Sequence, residues 1–193
     1  MTDRYKEITR KILFVAACVL LNMAGDKIAD IFELPFWLDT MGTALSACCL
    51  GPVFGAAVGL MSNVIFGIGD GFSAVYSLVN VGIGFIIGIF AKKDMLNDVF
   101  SVLFASVITG LFTVICSVPI NIIIADGYTN NKWGDALFEL LSIYHINTWL
   151  KSACAQAFLD IPDKVICLLS AYGILSLMKK RKSAKKSSDE NNS

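Results

Sequence analysis

The sequence predicts an all-α membrane protein: six transmembrane helices in one bundle, with the N- and C-termini both cytoplasmic. Three observations lead there. First, 55% of the 193 residues are hydrophobic and only 17% are charged, and the mean hydropathy of +0.66 exceeds what a water-facing surface tolerates. Second, a span needs about 20 apolar residues to cross the hydrocarbon core, so this length accommodates about six, with short connections and no second domain. Third, Lys and Arg are distributed unevenly. With both termini inside, the inner side holds Arg4, Lys6, Arg10, Lys11, Lys92, Lys93 and the Lys179–Lys186 cluster, against Lys27 and Lys132 outside. An odd number of spans would put one basic terminus on the wrong side.

The elements follow in order. A first span runs from about Ile8 to Ala24 and gives way to the polar stretch Asp26, Lys27, Asp30 and Glu33, the first outer loop. A cleavable leader is disfavoured here, because Asn22-Met23-Ala24 lacks the small residue expected three positions before a cut. Pro35 opens a second span to about Leu50, and Gly51-Pro52 turns the chain into a third, Val53 to Ile68. Gly69-Asp70-Gly71 marks the next turn. A fourth span, Ala74 to Ala91, stops at Lys92, Lys93 and Asp94, and a fifth covers Val99 to Ala125. The stretch Trp133 to Ile143 is amphipathic and suits the interface. The sixth span, Thr148 to Met178, carries charges. Residues 1–178 thus form a single domain, and 179–193 a basic tail with the composition of a disordered cytoplasmic segment.

Several function classes are excluded on chemistry. No GxxxxGK[ST] loop is present to hold nucleotide phosphates, and no HExxH or GxSxG pattern supports hydrolysis. The six cysteines lie in apolar runs without CxxC spacing or neighbouring histidines, so they read as packing residues and no metal or cofactor is expected. Neither an enzyme nor a nucleic-acid binder is indicated. The spacings Gly55-xxx-Gly59, Gly84-xxx-Gly88 and Ala153-xxx-Ala157 suit close helix packing in lipid.

Polar groups at membrane depth carry the functional reading. Asp160, Asp163 and Lys164 lie within five residues in the last span, where an unpartnered charge costs at least about 2.5 kcal/mol. Asp160 and Lys164, four apart, can pair on one face, and Pro162 between them frees a carbonyl and favours a kink. The trio either neutralises itself at that kink or touches a ligand. Asp39 either caps the second helix or points into the bundle. Asn63, Asn80, Asn121 and Gln156 must turn inward, where an amide can find partners. The aromatics Phe36, Trp37, Phe72, Tyr76, Tyr128, Trp133, Tyr144 and Trp149 cluster outside, as an interfacial belt or as the wall of a pocket. Lys151, about one turn inside the outer boundary, is a ready anchor for an anionic group. The candidate substrate-binding set is Trp37, Asp39, Tyr76, Asn80, Asn121, Trp149, Lys151, Gln156, Asp160 and Lys164.

Three segments, 38-LDTMGT-43, 50-LGPVFGAAVG-59 followed by Asn63, and 161-IPDKV-165, give the chain a resemblance to the substrate-binding (S) components of energy-coupling factor transporters. The resemblance covers about Ile8 to Met178. It implies a multi-pass protein of a bacterial plasma membrane that captures a vitamin-sized micronutrient from outside, beneath a loop corresponding to Gly25–Trp37. It also implies delivery through a separate membrane coupling subunit carrying two ATPases, which would account for the missing nucleotide site. Many members of that group dock through an Ala-xxx-Ala pattern in the first span. Here Ala16 and Ala17 are followed by Leu20 and Leu21, so small residues of the Ala44–Gly59 hairpin are the expected substitute. Two other classes remain open on sequence alone: an ion-coupled secondary transporter, and a membrane sensor or scaffold whose basic tail meets a cytoplasmic partner or anionic lipid.

Overall fold

The computed structural model describes residues 2–68 and 71–190, and the regular elements among them are all helices. They are α1 (Thr2–Ile31), α2 (Met41–Leu50), α3 (Pro52–Gly67), α4 (Gly71–Val75), α5 (Ser77–Lys92), α6 (Val99–Ala125), α7 (Lys132–Ser142) and α8 (Thr148–Glu190). Four stretches are long and apolar enough to cross a membrane: Asp3–Ile31, Ser73–Lys92, Val99–Ala125 and Thr148–Met178. Leu78, Phe100, Ile115 and Ile123 project outward from such helices, while Ser106, Thr109, Asn121, Gln156 and Asp160 are buried. Apolar side chains outside and polar ones inside is the arrangement lipid favours.

The short helix α2 lies at the centre and packs against α1, α3, α5 and α8. Its residues Gly42 to Ala47 are all buried. Asn22 of α1 holds it at its start. Thr40, the residue before α2, makes no capping bond with its own side chain; instead Asn22 Oδ1 accepts from the Gly42 N–H at 2.6 Å and the Thr43 N–H at 3.3 Å. These are the orphan donors a local cap would satisfy. The same amide donates to Thr43 Oγ1 at 2.9 Å and Ser62 Oγ at 3.0 Å, tying α1, α2 and α3 together. Helix α1 comes so close that a Cβ on Gly42 would lie 1.8 Å from the Cys18 carbonyl oxygen.

The α3–α5 contact is of the same kind. A Cβ on Gly84 would meet the Gly55 backbone at 2.3 Å, and one on Gly59 the Asn80 carbonyl oxygen at 2.5 Å. The glycine spacings read from the sequence are therefore helix contacts inside the bundle. Ala44 and Ala47 are completely buried as well, whereas Ala56 and Ala57 of the same hairpin are only half-buried.

Several boundaries differ from expectation. The second span does not begin at Pro35: residues 32–40 are non-helical, and α2 has only 10 residues, about 15 Å of helix. Helix α3, with 16, covers about 24 Å. The loop after α1 is shorter than the expected Gly25–Trp37, because α1 continues to Ile31. The fourth span is preceded by the single-turn-scale α4, with a break at Tyr76, and Gly69 and Asp70 of the expected turn lie outside the described residues. The tail is helical to Glu190, where disorder was expected. From Ile174 onward it contains neither Gly nor Pro and is rich in Lys, so nothing interrupts the helix already propagating from the last span. Residues 191–193 lie outside the described residues.

Helix α6 covers the predicted Val99–Ala125 and is capped by Asp98, whose carboxylate accepts from the Ser101 N–H at 3.1 Å and hydroxyl at 2.7 Å. Those bonds hold the Asp98 carboxyl below its ordinary range. Helix α8 runs through Pro162 without interruption and meets α6 where Gly110 faces Ile161.

A roofed polar recess as candidate functional site

Loop 32–40 dips deep into the bundle. The Trp37 and Leu38 N–H groups both donate to Asp163 Oδ1, at 3.2 and 2.8 Å, and Asp163 stands about 22 Å along α8 from its start. Leu38 takes a left-handed φ of 53°, a conformation costly for a side chain with a Cβ, and Asp163 supports it. Gly25 of α1 makes room below: its Cβ would lie 2.0 Å from the Leu38 carbonyl oxygen. At the other end the loop is tied to α7. Trp133 Nε1 donates to the Glu33 carbonyl at 2.7 Å, Asn131 Nδ2 to the Leu34 carbonyl at 3.3 Å, and Lys132 pairs with the Glu33 carboxylate.

Beneath this roof is a cavity of about 590 Å³. Its inner wall carries Asp39, Asn63, Tyr76, Asn80, Thr113, Ser117, Gln156, Asp160 and Lys164, and its mouth carries Asp26, Lys27 and Asp30. Two amide relays organise the wall. On one side Tyr76 donates its hydroxyl to Asn121 Oδ1, Asn121 Nδ2 to Gln156 Oε1 at 2.7 Å, and Gln156 Nε2 to Asp160 Oδ2 at 2.7 Å. On the other, Asn63 Nδ2 reaches the Ser73 carbonyl at 3.4 Å, while Asn80 Nδ2 donates to Asn63 Oδ1 at 2.6 Å and Asp39 Oδ2 at 3.5 Å.

Of the residues named from sequence, Trp37, Asp39, Tyr76, Asn80, Gln156, Asp160 and Lys164 line this cavity. Asn121 stands just behind, fully buried and bonded to two of them. Trp149 and Lys151 do not line it. Trp149 is exposed, and Lys151 turns toward α7, donating to Ser142 Oγ at 2.7 Å and lying 4.3 Å above the Phe138 ring. The i to i+4 pairing of Asp160 with Lys164 does not form. Lys164 pairs with its neighbour Asp163 at 2.5 Å, because Gln156 already occupies Asp160 and the loop amides orient Asp163. Asp39 is not a cap, since Asn22 serves α2, and it faces α5 instead.

Sequence reasoning missed Thr113, Ser117, Asn22 and the acidic mouth. The hydroxyls had a signal: Thr109, Thr113, Ser117 and Asn121 recur every four residues on one face of α6. In sequence the mouth residues look like an ordinary outer loop, because no local pattern announces the extra turns of α1 that carry them there. Comparison with protein-family profiles, with curated proteins and with solved structures finds no match to this chain.

Proposed function

We propose that the chain is an integral membrane protein that captures a small molecule of vitamin size from outside, as the substrate-binding subunit of an energy-coupling-factor-type importer. The observation that carries the reading is the recess itself: about 590 Å³ of polar-walled space inside a helical protein whose outer surface is apolar. Polar and charged groups inside a membrane domain are costly unless they serve a partner or a wet cavity, and a cavity of this size suits a small organic ligand.

In this reading α1, α2, α3, α5, α6 and α8 make six passes with both termini cytoplasmic. The irregular backbone of residues 35–40 completes the second pass, which is tolerable at membrane depth where backbone is buried in protein or lines a cavity. The outer end is the one where Glu33, Lys132 and Trp133 meet; the inner end carries Lys92 and Lys93 and the Asn97 carbonyl that Tyr172 of α8 bonds at 3.3 Å. The chain performs no catalysis, and ATP hydrolysis belongs to partner subunits.

The test is direct. Protein purified in detergent is denatured and its extract searched by mass spectrometry for a stoichiometric small molecule, which the reading expects. Liposome uptake of that molecule should require a coupling module and ATP. Uptake driven by an ion gradient with this chain alone would replace the reading with that of a secondary transporter.

A further inference from the structure

We infer that the molecule this recess accepts is an organic cation, with a flat, positively charged nitrogen group seated between Asp39 and Asp160. The inference rests on the capture reading above and adds the charge of the ligand.

The lysines of the lining are already committed. Lys27 at the mouth pairs with Asp30 at 3.1 Å and Asp26 at 3.7 Å, and Lys164 pairs with Asp163. Asp39 and Asp160 are left, and neither forms an ion pair among the described residues. Among the described residues, the side-chain hydrogen bonds these carboxylates receive are the Gln156 amide on Asp160, which is 1% exposed, and the long Asn80 contact on Asp39, whose Oδ1 has no partner there. Asp39, Asp160 and Asp163 thus face a single ammonium, and buried carboxylates without compensating charge are expensive.

The hydrogen-bonding pattern points the same way independently. The Asn80 amide is fixed in orientation, because its nitrogen must face the carbonyl oxygen of Asn63, whose own nitrogen faces a backbone carbonyl. That leaves Asn80 Oδ1, on a side chain 3% exposed, as an unpartnered acceptor at the wall. Asp39 Oδ1 and Asn80 Oδ1 are thus buried acceptor oxygens of the lining without a partner among the described residues. A ligand that donates hydrogen bonds and carries positive charge satisfies both deficits. Trp37, Phe66 and Tyr76 add aromatic surface to the same lining, which favours a cation over its neutral isostere. The volume is that of an organic molecule, and no group of three metal-ligating side chains forms among the described residues.

The experiment uses the full chain in detergent and three isosteric probes at millimolar concentration: benzamidinium, benzamide and benzoate, followed by ligand-observed NMR. The mass-spectrometric extract supplies the charge of any molecule carried through purification. Benzamidinium should bind about tenfold more tightly than benzamide, in the range expected of a desolvated carboxylate and aromatic contact, with benzoate weakest. Asp39→Asn and Asp160→Asn keep the shape and the acceptor for the neighbouring amide; each should abolish the preference for benzamidinium without weakening benzamide, whereas Asp94→Asn at the far end should change nothing. Retained benzamide binding reports that the variants are folded. Equal binding of benzamidinium and benzamide, a preference for benzoate, or an anionic or neutral copurified molecule overturns the charge assignment and leaves capture standing. If no probe binds and the extract holds no small molecule, both readings fail together.

Discussion

Removal of the Asn22 side chain tests how the centre of the bundle is held. Asn22→Ala deletes the acceptor that serves the Gly42 and Thr43 N–H groups and the donor that reaches Thr43 and Ser62. Loss of a cap costs roughly 1 kcal/mol, and side-chain hydrogen bonds between helices in membrane proteins average about 0.6 kcal/mol each. With two of the latter, the expected loss is about 2 kcal/mol. Thr40 does not bond to the turn it precedes, so the cap present in the wild type is the one from Asn22. Water cannot reach the orphaned amides either, since Asn22 and Thr43 are both completely buried.

The assay is equilibrium unfolding in mixed micelles, with the free energy extrapolated to the native detergent. Asn22→Asp separates the two halves of the effect: it keeps the acceptor and removes the donor, at the further cost of a buried charge, and should be at least as damaging as alanine. A loss below about 0.5 kcal/mol for Asn22→Ala would refute capping from α1. So would an alanine variant whose only defect is in ligand binding, since α2 is placed by this contact and not by the ligand.

Three further outcomes follow from the same geometry. Gly84→Val should destabilise the protein by about 1–3 kcal/mol, the range for overpacking, because its Cβ would lie 2.3 Å from the Gly55 backbone; a variant unfolding at the wild-type midpoint would remove the α3–α5 contact from the account. Lys151→Glu should leave ligand affinity within about twofold, since this lysine serves Ser142 and Phe138, while thermal stability falls by about 1 kcal/mol. Trp133→Phe removes the hydrogen bond to the Glu33 carbonyl, worth about 1 kcal/mol, and should speed release of the proposed ligand about fivefold in a stopped-flow chase; an unaltered release rate would show that the roof does not open at this edge.

The long helices were legible because lipid imposes a simple rule on length and polarity. Val99–Ala125 came directly from the hydropathy pattern, and the amides were correctly turned inward since nothing outside can satisfy them. Residues 35–40 were not legible. Their apolar composition suits a helix as well as a buried loop, and the deciding contacts come from Asp163 and Asn131, more than ninety positions away in the chain. The same holds for the partner of Lys164. Helical spacing favours Asp160, but the choice was made by Gln156 and by loop amides that no local pattern reveals. Lys151 misled for a related reason: position along a helix indicates depth, whereas the direction a side chain takes depends on which neighbouring helix offers a partner.

Rigidity is unevenly distributed around the recess, and that bears on how the proposed ligand would enter. The walls are fixed where backbones touch backbones, at Gly42 against Cys18 and at Gly84 against Gly55, and such contacts cannot loosen without separating whole helices. The roof is held differently. Its deep end rests on Asp163, buried and shared with Lys164, whereas its outer edge is held by Trp133, Asn131 and the exposed Lys132–Glu33 pair. Exposed ion pairs contribute little, so the outer edge is the weaker of the two attachments. Loop 32–40 can therefore lift from α7 while its anchored end keeps Asp39 in place against Asn80. Entry and exit of the proposed ligand should then occur at the α7 side without dismantling the polar wall.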